Sequence, residues 1–142
     1  MAAAGGAAYK ATRGVRNNNP GNIRYVASQK WLGQIGHDGA FVKFDTMENG
    51  TRALARLLKN YYNKHNAKSI AAIINRWAPP IENNTGAYID AVSESVGYPS
   101  NNDMDAATFA NKLPRIMSAI ARHENGKNVL SLAMSQRGVS LA

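Results

Sequence analysis

Apolar side chains recur at helical spacing along most of this chain. Leu54, Leu57, Leu58, Tyr61 and Tyr62 share one helical arc, and Arg52, Arg56, Lys59 and Asn63 take the opposite face. Asp45 and Glu48 stand at capping-box spacing just before them, so this helix is predicted to open at Asp45. Ile70, Ile73, Ile74 and Trp77 predict a second helix from Ser69 to Trp77, ended by Pro79-Pro80. Tyr88, Ala91, Val92 and Val96 predict a third from Ala87 to Val96, stopped by Gly97. Asp105 is placed to cap a fourth over Ala106–Lys112. At Pro114 that ladder must kink or restart. Pro114 to Glu124 is again amphipathic and ends at Asn125-Gly126, and a last helix is predicted from Asn128 to Gln136.

The N-terminal third reads differently. Residues 1–12 are taken as a flexible leader. Asn17-Asn-Asn-Pro-Gly-Asn22 is dense in turn formers and predicts a tight structured loop. Residues 23–44 form a small β region, with a hairpin signal at Asp38-Gly39 and strand alternation over Phe41-Val-Lys-Phe44. The expected fold class is therefore mainly α (α+β), with a small N-terminal β-hairpin region and a single domain over 13–142.

Composition narrows the chemistry. A chain of 142 residues suits one domain with one hydrophobic core. It has no cysteine, which excludes disulfides, a thiol nucleophile and a Cys-based zinc site. His37, His65 and His123 fall in no metal-binding spacing, so neither metal nor cofactor is expected. No apolar run approaches the ~18 residues of a membrane span. Met1 to Ala8 is too short and too weakly apolar for a signal peptide. The formal charge of +8 favours anionic partners: nucleic acid, or an anionic envelope or cell wall. The basic residues are spread along the chain and no nucleic-acid motif is present, so no specific nucleic-acid partner is expected.

One carboxylate breaks the pattern. Leu113, Ile116, Met117 and Ile120 share an arc, and Glu124 falls within it, four residues further on. A carboxylate turned toward a packed side is costly. At a helix C-terminus the macrodipole also disfavours negative charge. A glycosidase needs a carboxylic acid that still carries its proton, ready for a glycosidic oxygen. The competing reading makes Glu124 a frayed helix end paired with Arg122 or Lys127. His123, its neighbour, points elsewhere on the helix and reads as an edge or structural residue.

The remaining carboxylates carry weaker signals. Asp38 projects from the hairpin, where a second carboxylate of a sugar cleft could sit, or is an ordinary turn aspartate. Glu48 is either a second catalytic candidate or the partner in the capping box. Glu82, in the polar loop after Pro80, is a substrate-binding candidate or a solvated acid. Asn18, Asn19 and Asn22 could offer amides to acetamido and hydroxyl groups, or serve turn geometry alone. Trp31 and Trp77 could both stack on sugar rings, but Trp77 completes the isoleucine stripe and reads as core.

Four strings give a family resemblance: Arg16-Asn-Asn-Asn-Pro-Gly-Asn-Ile23; Phe44-Asp-Thr-Met-Glu-Asn-Gly-Thr-Arg-Ala53; Ile74-Asn-Arg-Trp-Ala-Pro-Pro-Ile-Glu-Asn-Asn-Thr-Gly-Ala-Tyr-Ile89; and Ile120-Ala-Arg-His-Glu-Asn125. They resemble a group of small phage and prophage proteins, often labelled virion structural proteins. That group in turn resembles the lysozyme-like peptidoglycan hydrolases. Ala119-Ile-Ala-Arg-His-Glu-Asn-Gly126 is similar to the Glu-Ser-Gly catalytic helix end of lytic transglycosylases and glucosaminidases, with Asn125 in place of serine. Asn18-Asn-Pro-Gly-Asn-Ile23 resembles the Asn-rich stretch that follows that helix in glucosaminidases, but lies at the other end of this chain. Thr85-Gly-Ala-Tyr88 resembles a later segment ending in a cleft tyrosine.

The resemblance implies a circularly permuted lysozyme-like fold and an enzyme that cleaves the glycan strand of peptidoglycan. Glu124 would be its acid, and Asn18, Asn19, Asn22, Thr85 and Tyr88 would lie near the substrate. It implies a monomer without cofactor or metal, made in the host cytoplasm. Such a protein acts in the periplasm or cell wall, released by a holin or carried in the virion. The alternatives are a non-catalytic virion or envelope-binding protein and a nucleic-acid-binding module.

Overall fold

The computed structural model describes residues 11–80 and 83–142. Thr12 accepts the Val15 amide at the N-terminus of a single helical turn, α1 (Arg13–Arg16). Residues 1–10 of the expected leader lie outside the described residues, but Thr12 belongs to the folded domain. The Asn-rich loop follows, with Asn18 and Asn22 both at φ 52°, a left-handed conformation that asparagine tolerates better than most residues. Asn19 is fully buried. Its amide donates to the Ile23 and Val42 carbonyls at 3.0 Å each, and its oxygen accepts the Ile23 amide at 2.9 Å.

The expected hairpin is present as β1 (Gln34–His37) and β2 (Val42–Phe44), antiparallel, with a bulge between Gln34 and Gly36. Val42 and Phe44 point into the core and Lys43 points out, as strand alternation requires. Backbone bonds from Val42 to Ile23 and from Phe44 to Asn17 tie the other edge of β2 to the Asn-rich loop.

Among the described residues, five longer helices follow: α2 (Met47–Lys64), α3 (Ile70–Trp77), α4 (Thr85–Val96), α5 (Ala106–Asn125) and α6 (Leu132–Leu141). The mainly helical class with a small sheet is thus as expected. Some boundaries differ. Thr46, not Asp45, caps α2, accepting the Asn49 amide. Asp45 instead accepts the Asn49 side chain, and Glu48 pairs with Arg137 of α6 rather than closing a capping box. Of the two outcomes expected at Pro114, a kink or a restart, the restart does not occur: α5 runs unbroken for 20 residues. The last helix starts four residues later than predicted and runs to Leu141.

The core is centred on α5, which contacts α1, α2, α4 and α6. Leu113, Ile116, Met117 and Ile120 are fully buried, together with Leu54 and Leu58 of α2 and Ile70, Ile73 and Ile74 of α3. At about 25 cal/mol per Å² of apolar area, this burial is the main driving force for folding. Helix α6 approaches α2 closely through Gly138, where an added Cβ would lie 2.6 Å from Thr51 Cγ2. Among the described residues, no helix is long and apolar enough to cross a membrane.

Candidate active site

The apolar arc of α5 does carry Glu124 toward the packed side. The helix ends one residue later, at Asn125, capped by Gly126 in the left-handed conformation, so the half-buried carboxylate emerges where core gives way to surface. Two donors meet it. Asn22 Nδ2 reaches Oε1 at 3.3 Å and Tyr88 Oη reaches Oε2 at 2.9 Å. Tyr88 Oη in turn accepts Trp77 Nε1–H at 3.1 Å. The Tyr88 ring stacks on His123, with centroids 3.7 Å apart and planes inclined by 26°. Burial, and then the neighbouring Glu124, push the Tyr88 phenol well above its ordinary range. Tyr88 is therefore a neutral donor at any physiological pH.

Four segments converge here: the Asn-rich loop, the C-terminal end of α3, the first turn of α4 and the last turn of α5. Asn125 fastens two of them. Its amide donates to the Pro20 carbonyl at 2.9 Å and to the Ala121 carbonyl at 2.8 Å, and its oxygen accepts the Thr12 hydroxyl at 2.5 Å.

Glu124 stands between two depressions. The larger, of about 440 Å³, has Trp31, Tyr61 and Trp77 on its walls, with Arg24 and Asn22 among its polar groups. The smaller, of about 270 Å³, is bounded by Asn83, Asn84, Ala87, Tyr88 and His123. Glu124 and Asn83 line both. Aromatic walls with a few polar groups suit rings that carry hydroxyls and amides. Among the described residues lining either depression, Glu124 is the one acid.

The other predicted site residues scatter. Asp38 takes Arg13 Nε at 2.6 Å, Arg13 Nη2 at 3.0 Å, Asn17 Nδ2 at 2.9 Å and the Ala40 and Phe41 amides. The Arg13 guanidinium, with the Phe41 amide and Asn17, holds its carboxyl well below the usual carboxylate range. Five donors on two oxygens leave little capacity for a water or a sugar, and Asp38 lines neither depression. Glu48 faces α6 through Arg137 at 2.7 Å. Asn18 donates to the Phe44 and Asp45 carbonyls, and the buried Thr85 hydroxyl donates to the Ala78 carbonyl at 2.6 Å. Glu82 lies outside the described residues. Of the predicted set, Asn22, Tyr88 and Glu124 come together.

Sequence reasoning weighed Trp77 as a sugar-stacking residue but favoured core, and it did not foresee the bond to Tyr88. It ends the isoleucine stripe of α3 yet is only half-buried, and its indole N–H leaves the core to reach Tyr88. The available signal was its place at the last helical position, beside the loop that leads to Tyr88. Three histidine, aspartate or glutamate side chains nowhere cluster as a metal site would require among the described residues.

The chain matches no protein-family model. It is 40% identical over 123 residues to Protein P5 of Pseudoalteromonas phage PM2, across 84% of this chain and 74% of that protein.

Proposed function

The chain belongs to the family of Protein P5 of Pseudoalteromonas phage PM2, and from that phage context we propose that it cleaves the glycan strand of bacterial peptidoglycan with Glu124 as the acid. The observation that carries the reading is the placement of Glu124: at the end of an apolar helix arc, gripped by Asn22 and Tyr88, between two depressions. A polymer lying across both depressions would present one bridging oxygen at the carboxyl group. Holding that group in one orientation is the positioning that general acid catalysis requires.

In this reading Glu124 gives its proton to the glycosidic oxygen as the bond from that oxygen to the anomeric carbon breaks. Glycosidases that hydrolyse with two carboxylates need the second within about 5–9.5 Å, and the described lining offers no second acid. Attack by a hydroxyl of the same sugar, as in the lytic transglycosylases that the Glu124 segment resembles, needs no second acid. Its oxygen bonds to the anomeric carbon, its proton passes to the Glu124 carboxylate, and an anhydro ring results.

The lysozyme-like, circularly permuted fold is part of the same proposal. It is supported by the Thr12–Asn125 contact at 2.5 Å. The end of the glutamate helix touches the start of the domain, so helix and Asn-rich loop follow one another in space although they lie at opposite ends of the chain. A permuted order requires that the segments it separates in sequence still lie side by side, as these two do.

The test is purified peptidoglycan treated with the wild type and with Glu124→Gln, read by turbidity and muropeptide mass spectrometry. Glycan fragments from the wild type alone are expected, each anhydro product one water lighter than its hydrolytic counterpart. Fragments from both proteins would move the acid to another residue. Fragments from neither would overturn the reading and favour a binding or structural role in the phage particle.

A further inference from the structure

Trp77 is half-buried against the core. Gly21 lies against its ring, where an added Cβ would sit 3.2 and 3.3 Å from two ring carbons. Tyr61 meets it edge-on, with centroids 6.5 Å apart. These contacts fix the plane of the indole and therefore the direction of its single N–H. That N–H ends 3.1 Å from the Tyr88 oxygen.

The chemistry of the three groups then sets an order. An indole nitrogen can only donate. The Tyr88 oxygen, having accepted from Trp77, has one proton of its own, and its other polar neighbour is Glu124 Oε2 at 2.9 Å. Donation by Trp77 also polarises the phenol and strengthens the bond it makes onward, since hydrogen bonds in series reinforce each other. We infer that Trp77 is a positioning residue: by donating to Tyr88 it commits the Tyr88 proton to Oε2 of Glu124 and leaves Oε1 as the oxygen that carries the transferable proton. Asn22 Nδ2, 3.3 Å from Oε1, makes a longer contact than Tyr88 does, consistent with an oxygen that must gain and release a proton. Trp77 also lines the larger depression, so one side chain joins the cleft wall to the acid.

The kinetic half of this inference rests on the proposed glycan cleavage, and the spectroscopic half does not. The full chain labelled with ¹⁵N has two indole N–H signals, one for each tryptophan, assigned with Trp31→Phe. Glu124→Gln is expected to move the Trp77 signal, and to leave it unmoved once Tyr88→Phe has removed the link between them. A Trp77 signal indifferent to Glu124→Gln, or one that responds equally without the Tyr88 hydroxyl, overturns the relay. This arm keeps Trp77 and decides the matter even if Trp77→Phe does not fold.

In kinetics, Trp77→Phe and Tyr88→Phe are each expected to lower kcat about tenfold, the scale of one hydrogen bond. The double variant should fall no further, because both changes break the same chain. Losses that multiply would overturn the relay. If the resonance responds as expected but the wild type releases no glycan fragments, the relay stands and the glycan reading falls.

Discussion

Asn125 Nδ2 donates to the Pro20 carbonyl at 2.9 Å across 105 residues of sequence. The same side chain serves Ala121 and Thr12, so the residue after the proposed acid joins the end of α5 to both the Asn-rich loop and the start of α1. Removing it leaves the Pro20 carbonyl and the Thr12 hydroxyl without their partner in a partly buried place. Asn125→Ala is expected to cost about 1–3 kcal/mol of stability, read as a lower urea midpoint with an unchanged slope. Glycan cleavage should fall further than stability explains, because Asn22 sits on the loop that Asn125 anchors.

How much of this was legible beforehand varies from element to element for physical reasons. Helices α2 and α3 were readable because their leucine and isoleucine stripes repeat near 3.6 residues. Helix α6 was placed too early because it packs through small residues, Ser135 and Gly138, both buried, and small residues give periodicity little to detect. Pro114 was expected to kink the helix or start a new one, and α5 runs through it without a restart; one lost backbone bond is outweighed by the buried faces on either side. Glu124 was visible as a carboxylate on an apolar arc. Among the asparagines, local pattern could not separate Asn19, which braces a strand, from Asn22, which reaches Glu124 across 102 residues. That distinction exists only in the folded chain.

A close backbone crossing supplies a second prediction. Gly50 is buried in α2 beneath the Asn-rich loop, where an added Cβ would lie 1.7 Å from the Asn18 carbonyl oxygen. The obstacle is backbone, and Asn18 itself holds a positive φ, so the loop cannot yield without losing its bonds to Phe44 and Asp45. Gly50→Ala would favour an isolated helix, yet here it is expected to destabilise by about 3 kcal/mol or more. Calorimetry should show Tm falling on the order of 10 °C.

Asp38 predicts a particular pH dependence. Its folded carboxyl is held below the usual range, chiefly by Arg13. A depressed carboxyl contributes stability above its unfolded value, about 3.9, and loses that contribution as pH falls through the folded one. The stability gap between wild type and Asp38→Asn should therefore be constant from neutral pH down to about pH 5 and narrow below about pH 4. Thermal melts across this range check it. A gap that closed between pH 7 and 5 would mean that the Arg13–Asp38 pair is not what the substitution removes.

Trp31 separates binding from chemistry. It lines the larger depression but not the smaller, and it stands outside the chain of bonds from Trp77 through Tyr88 to Glu124. An aromatic wall of this kind holds a ring equally well before and during bond cleavage, and uniform binding of that sort appears in KM and not in kcat. Trp31→Ala is therefore expected to raise KM for soluble glycan fragments about three- to tenfold, the scale of one aromatic contact, with kcat nearly unchanged. Trp31→Phe should recover part of the loss, because a smaller ring still offers a face. Steady-state kinetics on both variants decide the point. Equal losses in kcat and kcat/KM would instead place Trp31 in contact with the reacting sugar as the bond breaks, and would shift the scissile position toward the hairpin side of the cleft.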